Sequence, residues 1–232
     1  MKNGIRPAAA VALALIAACA PQPPSGPVAR GAPAEFPAAY YLQAAAEGKP
    51  VFRIDPARSL VVIEVRRGGP LAKFGHDHVV ASHDVTGFVA PAEGRSDLYV
   101  ALDRLVVDEP GLRAQAGFDT QPTESDIAGT RGNMLERVLD AAQYPFALIR
   151  VTGAGGDART LEVAITLHGV TRTLRVPAQV DTADGQIGVS GRLALNQTDF
   201  GITPFSILGG AIQVQDRVDL RFRILARRVP AG

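Results

Sequence analysis

From Val51 onward, apolar and polar residues alternate with a period of two over several long runs. Leu161, Val163, Ile165 and Leu167 share one parity, against Glu162, Ala164 and Thr166. Val170, Leu174, Val176, Ala178 and Val180 oppose Thr171, Thr173, Arg175 and Gln179. Ile187, Val189, Leu193 and Leu195 form a third set, and Val218, Leu220, Phe222 and Ile224 a fourth, against Asp219, Arg221 and Arg223. Successive side chains on a strand point to opposite faces, so each run predicts a strand with one dry face and one wet face. Val61, Ile63 and Val65 alternate with Leu60, Val62 and Glu64, a stretch apolar enough to be central in a sheet. Shorter strand candidates lie at His78 to Val89, Leu98 to Val107, Arg113 to Phe118 and Phe146 to Thr152.

Turn residues punctuate these runs at Gly68-Gly69-Pro70, Gly153 to Asp157, His168-Gly169 and Asp184-Gly185. The connection at His168-Gly169 is short enough to predict an antiparallel hairpin. Thr123 and Asp126 form a capping-box-like start. Leu135, Val138, Leu139 and Ala142 then follow at helical spacing until Pro145, which predicts one inserted helix. Phe36 to Glu47 suggests a further short helix ending near Gly48. Strands without alternating helices argue against a parallel α/β fold. A sandwich and a closed barrel both satisfy the pattern. A barrel of about eight strands removes exposed edges and leaves room for a small ligand.

The first residues read differently. Lys2 and Arg6 precede an uncharged run from Ala8 to Ala18, too short to span a bilayer and suited to a signal peptide. It ends in Leu15-Ile16-Ala17-Ala18-Cys19, similar to a bacterial lipobox. Cys19 is the only cysteine, so a lipid thioether accounts for what would otherwise be a spare thiol in an exported protein. The expected organisation is a signal peptide over 1–18, lipidated Cys19 and a Pro/Ala-rich linker with a short helix over 19–50, and a barrel domain over 51–229. Ala20 after the cysteine matches the sorting pattern of outer-membrane lipoproteins. The expected location is therefore the cell envelope, facing the periplasm. Cleavage before Cys19 removes two basic residues and no acid, taking the formal charge from +1 to −1. Such a domain has no electrostatic footprint for nucleic acid. Without a cysteine pair, a hydrophobic core has to carry the fold.

Four stretches together resemble the YceI-like family. They are Phe52-Arg53-Ile54-Asp55 with Ser59; Gly75-His76 and its strand to Gly87; and Asn133 to Phe146, with Leu135, Leu139 and Tyr144-Pro145. The fourth is Leu167-His168-Gly169-Val170-Thr171, followed by Asp199-Phe200-Gly201-Ile202 and Val214-x-Asp216-x-Val218. The resemblance implies an all-β, lipocalin-like antiparallel barrel around a long apolar cavity. It also implies an apolar small-molecule ligand, an isoprenoid or quinone-like lipid, with no required cofactor. The chain departs from the family pattern at Gly75-His76-Asp77-His78 and at Glu64 to Arg67.

Candidate chemistry is sparse. His76 and His78 are two apart, so on a strand they face one way and could share a metal or redox cofactor. His83 has the opposite parity, Asp77 lies between the pair on the other face, and Asp84 shares their parity. A lone His-x-His is a weak signal, and turn roles for His76 and Asp77 compete with it. His168 reads as a turn residue before a general base. Asp199 and Asp216 read as turn-fixing carboxylates rather than an acid pair. No nucleophile elbow, phosphate loop or zinc-protease signature occurs, so the expectation is a binding protein, not an enzyme. Two alternatives stand beside a lipid carrier: a metal or redox module using His76 and His78, and a structural or interaction domain without ligand.

Overall fold

The computed structural model describes residues 31–153, 160–183 and 185–230. The signal-peptide segment, Cys19, most of the linker and the turn residues 154–157 and Asp184 lie outside them. The described part is a barrel with three short helices on or at the end of it. Among the described residues, no helix is long and apolar enough to cross a membrane.

Helix α1 (Ala38–Ala46) precedes strands β1 (Phe52–Ile54), β2 (Leu60–Gly68), β3 (His78–Ser82), β4 (Val85–Ala90), β5 (Arg95–Ala101) and β6 (Val106–Val107). Helices α2 (Pro110–Ala116) and α3 (Glu124–Asn133) follow, and a π-helical turn over Met134–Val138 extends α3. The chain then runs through β7 (Phe146–Thr152), β8 (Thr160–Leu167), β9 (Val170–Ala183), β10 (Gln186–Asn196), β11 (Ser206–Ile207) and β12 (Ile212–Arg228). Pairing is antiparallel throughout. β12 bonds β10 on one side and both β1 and β2 on the other, and β1 bonds β4, so the sheet closes on itself. β1 and β2 are one wall strand interrupted at Pro56. β3 and β4 are another, bent at His83-Asp84. Counted this way, the ring has eight walls.

The break after β1 is fixed by polar groups. The buried Ser59 hydroxyl donates to the Asp55 carbonyl at 2.8 Å and accepts from the Leu225 N–H at 3.1 Å. β12 carries a bulge between Val214 and Val218, where its register on β2 shifts. Asp216 inside that bulge accepts from the Thr198 N–H at 2.9 Å and the Thr198 hydroxyl at 2.7 Å. Gln197 Nε2 donates to the Gln215 carbonyl at 2.8 Å. These bonds lock the Asp199-Phe200 turn to β12 and account for the spacing of two motifs distant in sequence. The β8–β9 hairpin has a two-residue turn, His168-Gly169, with φ of 51° and 75°. Both residues sit in the left-handed region that such tight hairpins need.

The outer surface is covered in two places. α1 lies on β4, where Tyr41 stacks on Phe88 with ring centroids 5.2 Å apart, beside buried Ala44, Ala45, Val51 and Ala90. α2 lies over β2 and β3, burying Leu112 against Val62, Val79 and Ala81. This second cover explains why β2 is apolar on both faces.

The sequence reading needs correction at three points, the simplest being that the His78 to Val89 candidate divides into β3 and β4. Arg113 to Phe118 is not a strand. Pro110 starts α2, Gly117 ends it in the left-handed region, and Arg113 is buried because it is ion-paired. The barrel therefore carries two inserted helices rather than one. The Leu98 to Val107 candidate also divides, into β5, a 3-10 turn over Leu102–Arg104 and β6. Phe146 to Thr152 is a strand with the expected bounds. Thr123 and Asp126 make a capping box at the start of α3, as the spacing predicts.

Candidate functional site: the barrel interior

The inward parities of the strands converge on one space. A cavity of about 750 Å³ runs inside the barrel, within the size range typical of small-molecule sites. Val61, Ile63 and Val65 of β2 line it, as do Val163, Ile165 and Leu167 of β8, Ile187, Val189, Leu193 and Leu195 of β10, and Val218, Leu220, Phe222 and Ile224 of β12. These residues belong to the apolar sets read from the sequence. Side chains from β4, β5, β7 and β9 complete the wall. At one end, Thr130, Asn133 and Met134, then Val138 and Leu139, face inward from α3 and its π-helical extension. Ile127, Met134, Leu135 and Leu139 also pack against the main core, so α3 is fixed to the barrel there.

Polar lining is scarce and concentrated at that α3 end. His78 opens β3, while Asn196 ends β10 and Gln197 begins the turn after it. Most of these groups are committed elsewhere. Asn133 Oδ1 accepts from Arg137, Asn196 Nδ2 donates to Asp199, and Gln197 reaches β12. An interior of this kind offers an apolar chain about 0.8 kcal/mol for each methylene removed from water. It offers a charged solute nothing comparable.

His78 is held by groups that sequence reasoning missed. Its Nδ1 lies 2.6 Å from Asp108 Oδ2. The Asp108 side chain is fully buried and also accepts from the Val79 N–H at 2.9 Å and from Arg113 Nη1 at 2.6 Å. Arg113 continues to the Asp77 and Thr120 carbonyls. Burial by itself would raise the Asp108 pKa. The hydrogen bonds from His78, Val79 and Arg113 outweigh it and hold the carboxyl below its ordinary range. Asp108 has φ of 58°, an uncommon conformation for a residue with a side chain, which its three bonds stabilise. The only trace of this residue in the sequence is the acidic pair Asp108-Glu109 before Pro110, a helix-start signal thirty positions from His78.

The remaining candidates fall as follows. His76 precedes β3 rather than lying in it. Its ring centroid is 6.1 Å from that of His78, and its buried Nδ1 has no hydrogen-bond partner among the described residues. Asp77 accepts from the Arg67 N–H, a turn role of the kind its sequence suggested. Among the described residues, no group of three or more His, Cys, Asp or Glu is arranged to hold a metal ion. His83 bonds Glu109 at 2.7 Å and Asp84 bonds Arg104 at 2.6 Å, and neither lines the cavity. The His168 ring packs on Tyr144 at 4.8 Å. Asp199 and Asp216 tie turns, as expected.

A second buried network lies outside the barrel, under α1. Tyr41 donates to Asp97 Oδ2 at 2.7 Å, Arg95 Nε donates to the same oxygen at 2.7 Å, and Arg150 Nε donates to Oδ1 at 2.8 Å. Burial, with the Asp97 charge added, pushes the Tyr41 hydroxyl well above its ordinary value. Asp97 is lowered despite its burial, because Arg150, Tyr41 and Arg95 all donate to it.

Comparison with known proteins agrees with this architecture. No curated protein sequence matches the chain significantly. Among solved structures, a polyisoprenoid binding domain from Saccharophagus degradans implicated in plant cell wall breakdown superposes with a TM-score of 0.56 at 14% identity. The match covers 78% of this chain and 100% of that one. BcnA of Burkholderia cenocepacia superposes with a TM-score of 0.51 at 16% identity, covering 74% of this chain and 98% of its own. At these identities the likeness speaks for the fold. The model of the YceI-like domain matches residues 52–226, from β1 to within two residues of the end of β12. With that match spanning the whole closed barrel, the chain belongs to the YceI-like family.

Proposed function

We propose that this protein is a lipid-anchored carrier or store for an apolar, isoprenoid-like molecule, a quinone-type lipid included, held inside the barrel. The observation that carries the reading is the cavity of about 750 Å³, walled by apolar side chains from every strand of the ring. The naming of a structurally similar domain for polyisoprenoid binding supports it. Length of apolar chain supplies the affinity, and the wall needs no charge to retain it. Cys19 with its preceding small residues supports a membrane tether, and Ala20 supports the outer membrane with the barrel facing the periplasm. A tethered carrier stays within reach of the bilayer that supplies its cargo.

The test is extraction. The purified protein is denatured in organic solvent and the extract examined by mass spectrometry, before and after incubation with geranylgeraniol. The double variant Val163→Phe/Leu220→Phe is treated alongside, because it fills the interior without altering the outer face. The wild type is expected to release a stoichiometric apolar molecule, and the variant to keep its circular dichroism but release none. A wild-type protein that yields nothing, before or after incubation, overturns the reading. The tether is tested by fractionation: Cys19→Ser is expected to move the protein from the membrane to the soluble fraction.

A further inference from the structure

The cavity is apolar almost throughout, yet one imidazole stands in its wall with a dedicated buried carboxylate behind it. His78 lines the interior at the α3 end. Its Nδ1 is bound to Asp108 at 2.6 Å, and Asp108 lies behind the ring with no exposed side-chain surface. A carboxylate accepts only, so Nδ1 carries the proton. That leaves Nε2 as the one ring nitrogen available to a molecule in the cavity, and among the described residues no protein group is hydrogen-bonded to it.

The charge balance sets what Nε2 offers. Asp108 is already neutralised by Arg113, whose Nη1 lies 2.6 Å from the other carboxylate oxygen. Arg113 is itself buried. The pair is complete without a positive imidazole, and the tautomer that Asp108 selects, with its proton on Nδ1, carries a lone pair on Nε2. Other polar lining groups at this end are engaged with the protein, the amides of Asn196 and Gln197 among them. Thr130 lines the same cavity from α3, one turn beyond Asp126.

We propose that His78 Nε2 accepts a hydrogen bond from the hydroxyl head of the bound lipid, so that the preferred ligand is a long-chain alcohol or phenol lying with its head at the α3 end. The inference rests on the lipid-holding reading above and adds to it an orientation and a head group, which within that reading disfavours oxidised quinones because their carbonyls cannot donate. A fixed acceptor in a dry wall discriminates strongly between a donor and an isosteric group that cannot donate. With the wrong head, the acceptor loses its water and gains nothing. Asp108 is a positioning residue here: it fixes the tautomer and the ring plane.

The experiment compares geranylgeraniol with its methyl ether, which matches its chain and lacks the hydroxyl proton. Both are titrated into the full-length protein and followed by displacement of a fluorescent fatty-acid probe. The unaltered protein is expected to bind the alcohol about fivefold to tenfold more tightly than the ether, the worth of about one hydrogen bond. His78→Leu is expected to bind the two equally. On adding the alcohol, ¹⁵N NMR of labelled wild type should shift the His78 Nε2 resonance, with Nδ1 remaining protonated. Equal binding of alcohol and ether by the wild type overturns the head-group proposal and leaves the cavity reading standing. Failure of the wild type to bind either probe overturns both. The decisive comparison uses unaltered protein, so it does not depend on how well the variant folds.

Discussion

At the scale of single residues, the interior depends on close approaches that leave no room for a side chain. Gly87 sits on β4 at an inward position between the cavity-lining Val85 and Val89. A Cβ there would come within 2.3 Å of the Asp97 carbonyl oxygen and 2.8 Å of Leu98 Cα. Both obstacles are backbone atoms of β5, the neighbouring strand, so they cannot rotate aside. Gly87→Ala is expected to lower stability by about 1–3 kcal/mol, the usual cost of overpacking, as measured by urea unfolding. A wild-type midpoint in the variant would show that β4 and β5 do not approach as described. Tyr41 makes the opposite kind of demand. Tyr41→Phe keeps the stack on Phe88 but removes a donor from buried Asp97, and a loss of about 1 kcal/mol is expected.

At the scale of elements, legibility followed burial on one face. β8, β9, β10 and β12 were readable because each has a wet outer face and a dry inner one, so parity showed through residue by residue. The capping box of α3 was readable because Thr123 and Asp126 are three apart and complete each other locally. α2 was not readable. It has seven residues, Leu112 is the only large apolar side chain among them, and its other anchor is Arg113. A charged residue looks solvent-facing in any hydropathy pattern; it is buried here only because Asp108 is waiting for it. For the same reason the site was half legible. The sequence named His78 but not Asp108, whose role comes from the pairing of β3 with β6 and not from any local motif. If α2 is the cover of β2 and β3, Leu112→Ala should cost about 2–4 kcal/mol in thermal unfolding. The ligand should be retained, because Leu112 points away from the cavity. Thr123→Ala should cost about 1 kcal/mol by removing one half of the cap.

At the scale of the whole molecule, two separate networks give stability the same dependence on pH. Asp97 under α1 and Asp108 behind His78 both have folded-state pKa values below their ordinary range. A carboxyl depressed in this way contributes stability that is complete above its unfolded pKa and is lost as pH falls through the folded one. The urea midpoint should therefore hold from neutral pH to about pH 5 and fall below about pH 4. Asp97→Asn should be less stable at neutral pH yet fall less steeply in acid. An equal acid slope in wild type and variant would remove Asp97 from the account.

The seam at β12 has a consequence for how the molecule comes into being. Ser59 and the Leu225 carbonyl meet across 166 positions of sequence, and β1 and β2 have no second neighbour on that side until β12 arrives. Ends so far apart are slow to find each other. A ribosome making this chain thus produces, for most of the time, a curled ribbon with raw margins and its oily side showing. Such a ribbon sticks to its own kind. A product that stops at Ala211 should be an aggregate rather than a weakened carrier, and the final stretch of synthesis is what turns an adhesive sheet into a container.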